Sequence, residues 1–162
     1  MGEWDEMITD GTVQKVIASK KYLRRVIDLD NLSLSPDGNY RLGRADLVCE
    51  EFECRILVRQ NVDRPTNFSI ILMYRDPVCG DVAVMRFNGD HGGHTNRLEK
   101  ERIRGPHTHI MTERYQELTT HPDGFAMPAR GYKDIKGAMI QFMEMANISY
   151  RTKKGQKRLE EY

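Results

Sequence analysis

Phe68-Ser69-Ile70-Ile71-Leu72-Met73-Tyr74, the turn Asp76-Pro77-Val78-Cys79-Gly80-Asp81 and the run Val82-Ala83-Val84-Met85-Arg86-Phe87 decide the fold. The first run is almost continuously apolar and of strand length, so it predicts a central strand covered on both faces. Pro77 and Gly80 mark the turn, and the second apolar run completes an antiparallel hairpin. Asn88 and Gly89 end that strand.

Working outward, Phe52, Cys54, Ile56 and Val58 alternate with Glu53, Arg55, Leu57 and Arg59, the period of a half-buried strand. The Ser35-Pro36-Asp37-Gly38 turn separates a short strand at 32–34 from another at 40–48. Val13, Val16, Ile17, Leu23, Val26 and Ile27 recur at mostly helical spacing and predict a first helix over 12–27, with Asp10 and Thr12 offered as caps. Downstream, 90–104 is polar and Gly-containing and reads as a loop or mobile flap. Beyond it come a strand at 107–111, a Pro-Asp-Gly turn at 122–124 and a short edge or exit strand at 125–127. Ile135, Ala138, Met139, Phe142, Met145 and Ala146 mark one face of a final helix capped by Asp134. The expected architecture is α+β: an antiparallel sheet of about five to six strands flanked by an N-terminal and a C-terminal helix. A single domain is expected over 1–150, with 151–162 a basic, flexible tail that includes Lys153 and Lys154.

Composition narrows the function classes. With 39% hydrophobic and 30% charged residues and a net charge of +1, the chain is an ordinary globular domain with no global pull toward nucleic acid. No run of about eighteen apolar residues occurs, so no membrane partner is expected. Glu3, Trp4, Asp5 and Glu6 are the wrong chemistry for a secretory leader, which makes a cytoplasmic location the expectation. Cys49, Cys54 and Cys79 are odd in number and not spaced as C-x-x-C, consistent with reduced thiols. Phosphate-binding loops, dinucleotide fingerprints, nucleophile elbows and His-Glu-x-x-His zinc signatures do not occur.

All five histidines lie within 90–121. His107 and His109 are two apart on an expected strand, so both rings leave the same face. Such a pair could serve as acid and base around one substrate, or ligate one metal ion. No cofactor is required by any motif; zinc held by His107 and His109 is the conceivable one. Arg102, Arg104, Arg114 and Tyr115 are near in sequence and suited to an anionic substrate. His91-Gly92-Gly93-His94 adds two imidazoles on a loop that its glycines make mobile, with Asp90 available to orient a ring. His121 reads as a surface residue. The run containing Lys153 and Lys154 reads as a solvated tail that could also touch phosphates.

Gly105-Pro106-His107-Thr108-His109-Ile110, then Glu113-Arg114-Tyr115, Phe125-Ala126-Met127-Pro128 and Gln141-Phe142-Met143-Glu144-Met145-Ala146-Asn147-Ile148 carry a resemblance. Over 39–148 the chain resembles a family of small prokaryotic proteins of uncharacterised activity with a Pro-His-x-His strand and a closing helix. Its layout is more distantly similar to the ribonuclease-like toxins of toxin–antitoxin pairs. The resemblance implies a setting among phage or mobile elements. It matches His107 and His109 to the family motif, and His91 or His94 to its upstream loop histidine.

Two functions are therefore expected. The first is an interaction module of phage or mobile-element type that binds a host protein or nucleoprotein, possible as a homodimer, through an exposed strand edge. The alternative is a toxin-like, metal-independent ribonuclease in which His107 and His109 exchange protons and Arg104 or Arg114 stabilises the phosphorane. They differ in one structural consequence: the enzyme requires the imidazoles to share a cleft, whereas the binding module leaves them dispersed.

Overall fold

The computed structural model describes residues 7–118, 123–152 and 155–157. Its centre is a seven-stranded, wholly antiparallel sheet. Numbered along the chain, its members are β2 (Ser33–Leu34), β3 (Tyr40–Asp46), β4 (Cys54–Asn61), β5 (Phe68–Asp76), β6 (Gly80–Asn88), β9 (His107–Ile110) and β10 (Ala126–Pro128). They run in the spatial order β10-β9-β6-β5-β4-β3-β2. The architecture is α+β, with more strands than the sequence suggested. β5 is the middle strand, but it is not covered on both faces. Phe68, Ile70, Leu72 and Tyr74 are buried, while Ser69, Ile71 and Met73 on the other face are half-buried.

Helix α1 (Asp10–Ala18) and helix α3 (Ile135–Met145) contribute to the core on the buried side. Val13, Val16 and Ile17 enter it from α1, and Met139 and Phe142 from α3, where Phe142 meets Phe87 edge-on with centroids 5.5 Å apart. On α3 the expected stripe holds at Ile135, Ala138, Met139, Phe142 and Ala146, but it is Met143, one residue after Phe142, that completes it, and Met145 is 43% exposed.

Helix α1 is half its expected length, and Thr9 rather than Asp10 or Thr12 caps it. It ends at Ala18 because the next residues are taken by another sheet. β1 (Lys21–Leu23) pairs in parallel with β11 (Ile148–Thr152), and β11 pairs with β12 (Gly155–Lys157). Lys21 is fully buried at this junction. Its Nζ donates to the carbonyls of Ile17 (3.0 Å), Ser19 (2.7 Å) and Ala146 (2.8 Å), binding the C-terminal ends of α1 and α3 together. Burial draws its pKa down to about 8, against the nearby thiols of Cys54 and Cys49. Thus part of the expected tail lies in strands, while Lys153 and Lys154 lie outside the described residues.

The expected flap at 90–104 is a hairpin of β7 (His94–Asn96) and β8 (Glu101–Ile103). It is pinned to the sheet by fully buried Asn96, whose Nδ2 donates to the Ala126 carbonyl (2.8 Å) while its Oδ1 accepts from Ala126 N (2.9 Å). A short helix, α2 (Glu113–Leu118), comes after β9 and is tied to the N-terminal segment through Gln116 and the Ile8 backbone. Among the described residues no helix is long and apolar enough to cross a membrane.

Candidate functional site: a histidine cavity on the open face of the sheet

The site begins with a β-bulge. The β5–β6 register shifts between Leu72 and Met73, so that Leu72 faces Met85 and Met73 faces Ala83, with Val84 as the extra residue. Consecutive Val84 and Met85 are consequently both fully buried. Past the bulge, Arg86 and Asn88 leave the sheet on the face opposite the helices. β9 is in register there: His109 stands directly across from Arg86, and His107 across from Asn88. Strand alternation therefore sends both histidines to the same open face.

The other two rings come from the segment that joins β6 to β8. Gly92 and Gly93 have φ of 106° and 92°, and a Cβ on Gly93 would stand 2.7 Å from the Ile103 carbonyl oxygen. The two glycines thus set a tight turn rather than loosen it. Arg102 holds that turn, donating to the Gly92 carbonyl (2.8 Å) and to Thr95 Oγ1 (3.2 Å). The result is a cluster of four imidazoles. Ring centroids lie 4.8 Å apart for His91 and His107, 4.6 Å for His94 and His109, and 5.0 Å for His107 and His109.

A cavity of about 360 Å³ opens beside them, lined by His91, His94, His109, Arg86, Arg97 and Tyr115 among others. Its size falls within the range of small-ligand sites. His107 has no exposed surface and stands behind this lining, against His91.

Backbone carbonyls assign the tautomers. His107 Nδ1 donates to Gly105 O (2.8 Å) and His109 Nδ1 to Asp123 O (2.7 Å), so in the neutral rings each Nε2 keeps its lone pair. His94 Nε2 donates to Gly124 O (2.6 Å). His91 Nε2 stands 3.2 Å from His107 Nε2. Asn88 Oδ1 accepts from Ser69 Oγ (2.8 Å), which turns its amide nitrogen toward those two rings, 3.2 and 3.3 Å away.

Burial pushes the His109 pKa down to about 3, reinforced by the neighbouring His107 and His94 and only partly opposed by the bond to Asp123. Burial likewise lowers His107, with His91 and His94 adding to the effect against the bond to Gly105. Both rings are therefore proton acceptors at neutral pH. Arg86 bonds the Asp123 carboxylate (2.9 Å), and its Nε is buried without a hydrogen-bond partner among the described residues.

Of the residues singled out from sequence, His91, His94, His107, His109 and Tyr115 are brought together. Tyr115 reaches the cavity while its hydroxyl donates to Glu99 Oε2 (2.6 Å). Arg114 is held by the other oxygen of Glu99 (2.6 Å), and neither it nor exposed Arg104 lines the cavity. Arg86 and Arg97 occupy the place expected of them. His121, Lys153 and Lys154 lie outside the described residues. Sequence reasoning missed Arg86 and Asn88, polar residues two apart at the end of an apolar strand, which is the trace such a site leaves. Among the described residues no group of three or more His, Cys, Asp or Glu side chains stands where it could hold a metal ion. No family model, curated protein or solved structure matches the chain.

Proposed function

We propose that the protein cleaves RNA phosphodiesters by proton transfer between histidines. The observation that carries this reading is one cavity lined by three imidazoles, His91, His94 and His109, backed by a fourth, His107, and also presenting Arg86 and Arg97. A binding module has no need for buried, tautomer-locked histidines facing a cleft. An acid–base enzyme acting on an anion does.

The geometry redistributes the roles within that mechanism. His109 lines the cavity with an Nε2 lone pair and takes the proton of the ribose 2′-hydroxyl. Burial sets its pKa low, and the negative charge of a bound phosphodiester raises it toward the working range. The 2′-oxygen bonds to phosphorus and the bond to the 5′-oxygen breaks. His91, in its protonated form, delivers a proton to that leaving oxygen. His107 is a positioning residue: neutral by burial, its Nε2 stands 3.2 Å from His91 Nε2 and backs that ring at the cavity. Arg86 and Arg97 face the charge that develops on the phosphorane. The products are a 2′,3′-cyclic phosphate and a free 5′-hydroxyl. The distant resemblance in layout to ribonuclease-like toxins, read from the sequence alone, suggested the same chemistry.

Incubation of purified protein with a labelled RNA tests this. His109→Asn keeps a donor for the Asp123 carbonyl while removing Nε2, and it is expected to slow cleavage by about 10²–10⁴-fold. Arg114→Ala, outside the cavity, is expected to leave the rate unchanged. Equal cleavage by a folded His109→Asn variant sinks the reading.

A further inference from the structure

The open face of the sheet does not end at the cavity. Arg44, Leu57, Ile71, Arg86 and His109 are in direct cross-strand register, one residue from each of five adjacent strands. The neighbouring row runs Leu42, Arg59, Ser69, Asn88, His107. Each row spans about 19 Å at the usual strand spacing of about 4.8 Å. Helices α1 and α3 pack into the core on the other face, and here Leu57 and Ile71 are half-buried and Leu42 is 40% exposed. A groove of about 940 Å³ lies at this edge, with Arg44, Arg59, Leu57 and Ile71 from the open face and Arg24 and Arg25 from the segment after β1, whose Ile27 packs toward Gly43 on the helix side.

The chemistry of this face is cationic edges around an apolar floor. Arg24, Arg25, Arg44 and Arg59 are exposed, and none makes a salt bridge among the described residues. The Arg59 guanidinium stacks 3.6 Å from the centre of the Tyr40 ring, a flat polar-and-aromatic surface of the sort on which bases stack. Two carboxylates share the groove, Asp46 and Asp28, and Asp28 is occupied by Asn31 Nδ2 and the Asp30 amide. Duplex RNA hides its bases and has no use for the apolar floor. A single strand uses the arginines for its phosphates and the floor for its bases.

We infer that this face is a track for single-stranded RNA, holding the nucleotides next to the scissile bond along the rows from Arg44 and Arg59 to His109. The inference rests on the reading of the histidine cavity as a phosphodiester site. It adds that the substrate is a strand of several nucleotides, and that affinity is set some 19 Å from the chemistry by the same strand spacing of about 4.8 Å.

The test combines binding and cleavage. In the His109→Asn background, a fluorescent single-stranded RNA of about twelve nucleotides is titrated by anisotropy over a range of salt. Arg44→Ala with Arg59→Ala is expected to weaken binding tenfold or more. The slope of log affinity against log salt is expected to fall by about 1.4, the value for two lost phosphate contacts on a single strand. In the otherwise native protein the same pair is expected to lower kcat/KM for the longer strand, while cleavage of a dinucleotide, which fills only the cavity, stays unchanged. Unaltered affinity and slope, or equal binding of duplex RNA, would overturn the track while leaving the cleavage reading intact. Arginine-dependent binding with no cleavage of either substrate by the native protein would overturn the cleavage reading and leave the track. A face that serves a protein partner instead would show as RNA binding indifferent to both arginines.

Discussion

His91 Nε2 and His107 Nε2 stand 3.2 Å apart, one ring at the cavity and the other with no exposed surface behind it. The buried ring of the pair is held neutral. His107 therefore acts through His91. His107→Asn preserves a donor for the Gly105 carbonyl but removes the ring that backs His91. It is expected to lower kcat about tenfold or more with little change in KM. A change in KM alone, with kcat unmoved, contradicts the role.

Folding stability carries the signature of the buried rings. The folded pKa of His109 is about 3, below the unfolded value of about 6.5, so between these limits the unfolded chain binds more protons. Stability is fully present above about pH 6.5 and is lost as the pH falls toward 3, by about 4–5 kcal/mol in all. Chemical denaturation at a series of pH values checks this. His109→Asn is expected to flatten the curve, and an unchanged slope in that variant rules out His109 as its source.

Lys21 predicts a purely structural effect. Lys21→Met removes three hydrogen bonds and leaves the Ile17, Ser19 and Ala146 carbonyls unpaired at the ends of two helices. A loss of about 3–5 kcal/mol is expected from denaturant melts. Because the site lies elsewhere, the folded fraction should cleave RNA at the native rate.

Arg86 joins the two halves of the site, pairing with Asp123 whose carbonyl holds His109. Arg86→Lys keeps the charge but not the fork that can reach the carboxylate and a phosphate together. Cleavage is expected to fall about 10–100-fold with little change in melting temperature. Chelation by EDTA is expected to leave the rate of the native protein unaltered, since each proton transfer is assigned to a histidine; a rate restored only by added zinc would contradict that assignment.

Much of the sheet was legible because its strands alternate. The hairpin around Pro77 and Gly80, the β9 strand and the Asp134-capped helix all arise from local pattern. The His107–His109 pair was legible for the same reason. Arg86 was not, because the Val84 bulge reverses the parity of β6 and only the pairing with β5 reveals it. The division of labour between His107 and His109 was equally hidden. Both rings leave the same face, but burial behind His91 is a tertiary fact. The first helix was overextended because Leu23, Val26 and Ile27 continue a helical spacing, while parallel pairing of β1 with distant β11 wins that segment for a strand. The glycines at 92 and 93 read as freedom and turned out to be constraint, since both hold a positive φ and a Cβ on Gly93 would collide with the Ile103 carbonyl.

The most direct measurement is the identity of the RNA ends left by the native protein. The mechanism predicts 2′,3′-cyclic phosphate and 5′-hydroxyl termini, no cleavage at a position carrying a single 2′-deoxyribose, and near-complete loss of cleavage in His109→Asn. Cleavage at the deoxyribose position, 5′-phosphate ends, or a native protein that leaves RNA intact would contradict it.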